Sequence, residues 1–72
     1  MMNFDEILNM VGERNGVNEW YEVFDSDLFD EMLDEIARRA GITWDDDDDL
    51  FDLVDQHVDG FAQWYGDMAE DL

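Results

Sequence analysis

A mainly α fold, a compact bundle of three or four short helices forming one acidic domain over residues 1–72, is what three observations predict. Apolar residues recur at the spacing of one helical face in two long segments. Proline, which ends or kinks helices, is absent. The composition, 46% apolar and 14% aromatic, is that of a chain with a core and not of a disordered acidic tail. In 72 residues there is room for one such core, since a domain of ~60 residues buries only about 60% of its unfolded surface.

Asn3 followed by Glu6 has the pattern of a capping box, and Phe4, Ile7, Leu8 and Val11 then share one stripe. The first helix is therefore predicted from about Phe4 to Arg14, with Asn15-Gly16 suited to a left-handed C-terminal cap. From Val17 to Phe24 the pattern is ambiguous. Val17, Trp20, Tyr21 and Phe24 fit a helical stripe, whereas Trp20-Tyr21 and Val23-Phe24 carry strand propensity. A short helix is the preferred reading, and a short strand near 17–24 the alternative.

Asp25-Ser26-Asp27 can cap the next helix, along which Leu28, Phe29, Met32, Leu33, Ile36, Ala37 and Ala40 make a wide apolar stripe closed by Gly41. Arg38 and Arg39 fall in its last turn, each four residues after an acid, Asp34 and Glu35. The last helix is expected to begin within Asp45–Asp49, because aspartates favour a helix start and are poor in its interior. Leu50, Phe51, Val54, Val58, Phe61, Ala62 and Tyr65 continue it as one rod to about Gly66. Gly60 would weaken that rod by about 1 kcal/mol relative to alanine. Asp67, Glu70 and Asp71 oppose the helix dipole, so fraying is expected there.

Charge is the dominant fact about the chain. Against 22 acidic residues stand three arginines, Arg14, Arg38 and Arg39, with no lysine, for a net charge of −19. Carboxylates ~6 Å apart repel by about 0.7 kcal/mol even in water. Solubility requires far less, a net charge of roughly 2 to 8. The positions left outside the two stripes are Asp27, Asp30, Glu31, Asp34 and Glu35 on one helix and Asp52, Asp55 and Asp59 on the other. With Asp45, Asp46, Asp47, Asp48 and Asp49 upstream, they form rows of one sign, since residues three and four apart on a helix stand about 5–6 Å from each other. These acids, together with Trp44 beside the run, are the candidate partner-binding residues. The plain alternative, that they are only the solvated faces of amphipathic helices, fits less well because ordinary faces mix signs and use lysine. Adaptation to a salty cytoplasm would suit fifteen aspartates against seven glutamates, but it gives no reason for ten large aromatics.

Other chemistry has little to stand on. Ser26, Thr43 and His57 are each the only residue of their kind, Ser26 is read as a cap and His57 as a half-buried helix residue, so no catalytic residues are assigned and an enzyme is not expected. No cofactor or metal site is expected either. A calcium loop needs glycine at its sixth position and glutamate at its twelfth, where counting from Asp45 finds Leu50 and Gln56. Trp20 and Trp64 are assigned to the core, and Trp44 is open between packing and contact. With no cysteine, no basic leader and no long apolar run, a cytoplasmic setting in a host cell is expected, with no membrane contact and no direct nucleic acid binding.

Short length, absent lysine, the run Asp45–Asp49 and the rows Asp27-Asp30-Glu31-Asp34 and Asp52-Asp55-Asp59 together resemble the small acidic DNA-mimic inhibitors of phages and mobile elements. That group includes anti-CRISPR and antirestriction proteins. The resemblance is one of character over the whole chain and transfers no site. It implies a protein–protein inhibitor whose carboxylates take the place of phosphates on a basic nucleic-acid-binding partner, such as a CRISPR effector or another defence nuclease. Two other classes compete with it. An immunity-type inhibitor would block a basic enzyme without imitating nucleic acid. An acyl-carrier-like protein would carry its modified serine in Asp-Ser-Leu, where this chain has Asp25-Ser26-Asp27-Leu28.

Overall fold

Asn3 opens the first helix with its side chain, whose Oδ1 accepts the Glu6 amide at 3.1 Å and satisfies one of the donors that a helix start leaves unpaired. The computed structural model describes residues 2–72, and there this helix, α1, spans Phe4–Arg14, the bounds its apolar stripe predicts. Beyond its end the Val17 amide donates to the Gly12 carbonyl at 2.8 Å and the Gly16 amide to the Glu13 carbonyl at 3.2 Å. That pair of bonds is a Schellman motif. The ambiguous segment forms a helix, α2, Trp20–Phe24, and the described residues contain no strand. Tertiary packing decides the ambiguity, because a helical turn puts Val23 and Phe24 together into the core while Tyr21 stays 47% exposed.

α3 spans Leu28–Ala40. Ser26 serves its start: Oγ accepts the Leu28 amide at 3.3 Å and donates to the Val23 carbonyl at 3.2 Å, joining α2 to α3 through one hydroxyl. Met32, Leu33, Ile36 and Ala37 are buried, and Ala40, on the predicted stripe, emerges into solvent at the last turn. A second Schellman motif closes the helix, with the Ile42 amide on the Ala37 carbonyl at 2.9 Å and the Gly41 amide on Arg38 at 3.2 Å.

The rod expected from the aspartate run to about Gly66 is in fact two helices, α4 at Leu50–His57 and α5 at Phe61–Glu70, which gives five helices among the described residues rather than three or four. The break lies at Val58-Asp59-Gly60. Val58 is extended, and Gly60 takes φ 84°, a conformation in which any side chain would crowd the backbone. Gly60 therefore does not weaken a helix from within; it turns the chain so that α5 can fold back and bury Phe61 completely. Two further expectations change with it. His57 ends α4 and is exposed instead of half-buried. Past Gly66, α5 continues to Glu70 because Met68 still packs on the core.

α3 lies against α1, α2 and α4, while the backbone of α5 comes close mainly to α4. Aromatic rings make α5's other attachments. Trp64 meets Phe4 of α1 at 5.6 Å between ring centroids and Phe24 of α2 at 6.1 Å, and Tyr65 stacks on Phe24 at 5.1 Å and meets Phe51 edge-on at 4.9 Å. Trp20 and Trp64 line this cluster half-buried, as expected of core tryptophans. The radius of gyration, 11.7 Å, is close to the ~11 Å expected of a folded chain this long.

Replacing Phe61 by alanine should cost about 3–5 kcal/mol, against the roughly 4–11 kcal/mol that a domain of this size holds. Circular dichroism in urea should show the variant's midpoint collapsing toward zero denaturant. A midpoint close to that of the parent chain would mean that the ring cluster is not the support described here.

Candidate functional site

The acids of α3 are not equivalent, because the cations of the chain are gathered on two of them. Arg38 pairs with Asp34 at 3.2 Å, and Arg14 and Arg39 both reach Glu35 at 3.9 Å. Glu31 accepts the Asn15 side-chain amide at 2.7 Å, and the same amide group donates to the Val11 carbonyl at 2.8 Å, tying the end of α1 to α3. Glu31, Asp34 and Glu35 are half-buried along this seam, while Asp27 and Asp30 are exposed. Partly exposed ion pairs of this kind contribute about 0–1 kcal/mol each. Their larger effect is on charge layout. All three arginines are held on one side, and residues 40–72 carry eleven acids with neither arginine nor lysine.

The aspartate run is an ordered turn. The Asp45 amide donates to Asp48 Oδ2 at 3.0 Å, and the Asp48 amide donates to the Asp45 carbonyl at 3.0 Å. Asp49 caps α4, its Oδ1 accepting the amides of Phe51 at 3.1 Å and Asp52 at 3.4 Å. Ile42 and Trp44 before the run and Leu50 after it pack on the core, so the turn is pinned at both ends. Trp44 is half-buried, with part of its ring packed on the core and part left accessible. All five aspartates of the run are exposed, as are Asp52, Asp55 and Asp59. Asp52 and Asp55 stand one turn apart on α4. Asp59 does not continue their row as expected, because the helix stops at His57 and Asp59 sits in the bend before α5.

Some polar features were not singled out by sequence reasoning. Asp5 accepts the indole N–H of Trp64 at 3.0 Å across 59 residues of sequence, a contact no local pattern announces. A cleft of about 270 Å3 lies between α1 and the segment leading into α2. The half-buried Val17 and Trp20, over the buried Leu8 and Val23, give it a small apolar part, and Asn9, Glu13, Asn18 and Glu19 give it a larger polar one. Ser26 is engaged in the two backbone bonds described above. Among the described residues no group of three or more histidines, cysteines or acids is arranged to hold a metal ion, and no helix is long and apolar enough to cross a membrane. Compared with known proteins, the chain matches no family model, no curated protein and no solved structure.

Two outcomes follow from this arrangement. Asp49→Ala should lower stability by about 0.5–2 kcal/mol through loss of the α4 cap, whereas Asp47→Ala should change it by less than about 0.5 kcal/mol. Equal effects in chemical denaturation would show that the run is uniform and Asp49 has no special role. Thermal melts should also rise in temperature between about 0.01 M and 0.15 M salt, as the screening length falls from about 30 Å to about 8 Å. A melting temperature indifferent to salt would contradict a surface governed by like-charge repulsion.

Proposed function

We propose that this chain binds and inhibits a basic nucleic-acid-binding protein through the run Asp45–Asp49, Asp52 and Asp55 of α4, and the exposed acids Asp27 just before α3 and Asp30 within it, which stand in for phosphates. The observation that carries the reading is the segregation of charge: three arginines gathered on Asp34 and Glu35, and residues 40–72 with neither arginine nor lysine. The overall density also supports it. The molecule is 30 Å long with a net charge of −19, and a DNA duplex of that length carries about 18 phosphate charges.

A groove lined with lysine and arginine would feel this field before contact, and opposite charge speeds encounter by ~10–1000-fold at low salt. On contact, arginine forks pair with carboxylates as they pair with phosphates. The turn at Asp45–Asp48 is held by its own hydrogen bonds, so little ordering is left for the binding step. Inhibition follows from occupancy, since a groove filled by this surface is closed to nucleic acid.

The test uses the full chain as bait for a basic nuclease or other nucleic-acid-binding protein from a host lysate, with and without excess duplex or single-stranded DNA. Competing DNA should release the captured protein. The triple variant Asp30→Lys, Asp47→Lys, Asp52→Lys should capture at least about tenfold less, each lost charge contact being worth roughly a kcal/mol or more, while its helical circular dichroism is unchanged. Asp34 is left intact in this variant because it holds Arg38. A captured protein that stays bound while also holding DNA would point to an inhibitor of the immunity type, and undiminished capture by the triple variant would remove the acidic surface from the mechanism.

A further inference from the structure

The cleft between α1 and the start of α2 sets a half-buried tryptophan and valine beside two carboxylates. Val17 and Trp20, both half-buried, supply its accessible apolar lining, and the exposed Glu13, Asn18 and Glu19 supply its polar lining. We propose that this cleft takes one arginine side chain presented by a basic partner protein. None of its residues belongs to the acidic face described above, and the two readings share only the sign of the partner's charge.

Size is the first argument. At about 270 Å3 the cleft falls just below the ~300–1,000 Å3 of small-molecule sites, and it suits one long side chain better than a metabolite. The chemistry of the lining is the second. An arginine offers an aliphatic stem to cover Val17, a flat cation that is attracted to an indole ring, and a fork of donors for carboxylates. Lysine has the stem and the charge, but its compact, strongly hydrated ammonium lacks the plane and the fork. An apolar side chain would satisfy the apolar lining while drawing water from two carboxylates without replacing it.

The acceptors of the polar lining are also uncommitted. Among the described residues Glu13 and Glu19 make no ion pair, and the Asn18 side chain makes no hydrogen bond. None of Arg14, Arg38 and Arg39 lines the cleft; each lies instead against Asp34 or Glu35. The cleft is also built into the fold rather than left over from it. The Val17 amide is bonded to the Gly12 carbonyl at 2.8 Å, and Gly12 allows the approach, since a Cβ there would stand 3.2 Å from the Val17 carbonyl oxygen.

The experiment titrates the full, isotope-labelled chain with the blocked peptide Gly-Gly-Arg-Gly-Gly at about 0.15 M salt, in parallel with versions carrying lysine or norleucine in place of arginine. Amide shifts in the nuclear magnetic resonance spectrum should concentrate at Gly12 and Val17–Trp20, include the Trp20 indole, and exceed those at Asp45–Asp49. The lysine peptide should respond more weakly and the norleucine peptide not at all. In the double variant Glu13→Gln, Glu19→Gln the arginine peptide should bind about tenfold more weakly. Shifts spread over the aspartate run, equal responses to all three peptides, or unchanged affinity in the double variant would each overturn the assignment. The comparison of peptides uses the parent chain, so it stands even where a variant loses its fold. Failure here leaves the acidic α4 face as it was, because competition by DNA there is read without any peptide.

Discussion

Burial of one apolar core, with Phe61 and its ring cluster joining α5 to the aliphatic residues of α1, α3 and α4, is what the rest of the structure depends on, because it must outweigh the mutual repulsion of a surface with a net charge of −19. Phe61 is completely buried and meets Phe4 at 5.8 Å, Phe51 at 5.6 Å and Trp64 at 6.0 Å between centroids. Edge-to-face and offset pairs contribute about 0.5–1.5 kcal/mol each beyond the area they bury. Rings also reach across wider gaps than aliphatic side chains. That reach lets α5 join α1, α2 and α4 at once, although its backbone runs close mainly to α4. Without disulfides, the chain concentrates apolar area in a few large, rigid side chains and so makes a core in 72 residues.

Where local signals agreed, the sequence could be read to the residue. The bounds of α1 follow from Asn3, the stripe Phe4-Ile7-Leu8-Val11 and Asn15-Gly16, each pointing to the same start or stop. α3 was legible for the same reason, down to the pairing of Asp34 with Arg38 and Glu35 with Arg39 four residues apart. The division between α4 and α5 was not. Val54, Val58, Phe61 and Tyr65 keep helical spacing straight through the break, since both helices bury their faces in one core. Periodicity reports which residues go inside and is blind to a turn that leaves their spacing intact. Gly60 was the available sign, and its left-handed conformation depends on the fold-back itself.

The acidic residues were legible as a set, and their individual states were not. Exposure of Asp30, Asp52 and Asp55 follows from their place opposite the stripes. The contacts of Glu31 with Asn15 and of Glu35 with Arg14 arise from the packing of α1 on α3, which no local spacing encodes. Their consequence is that the arginines sit together along the seam of α1 and α3. Placing every arginine beside Asp34 and Glu35 relieves repulsion where two helices must approach, and leaves the Asp45–Asp59 region to a single sign.

A single-sign surface becomes specific only if its charges are held in place. A disordered acidic tail attracts any basic body and must lose conformational freedom on binding, which weakens the contact it makes. Here the turn at Asp45–Asp48 closes through paired bonds of 3.0 Å, Asp49 is fixed as a cap, and Trp44 and Leu50 fasten the flanks to the core. The side chains used to order the run come from within it, so Asp46 and Asp47 remain without a structural task and project from a backbone that is already set. The same residues that make the chain costly to fold therefore also build the support that fixes their positions.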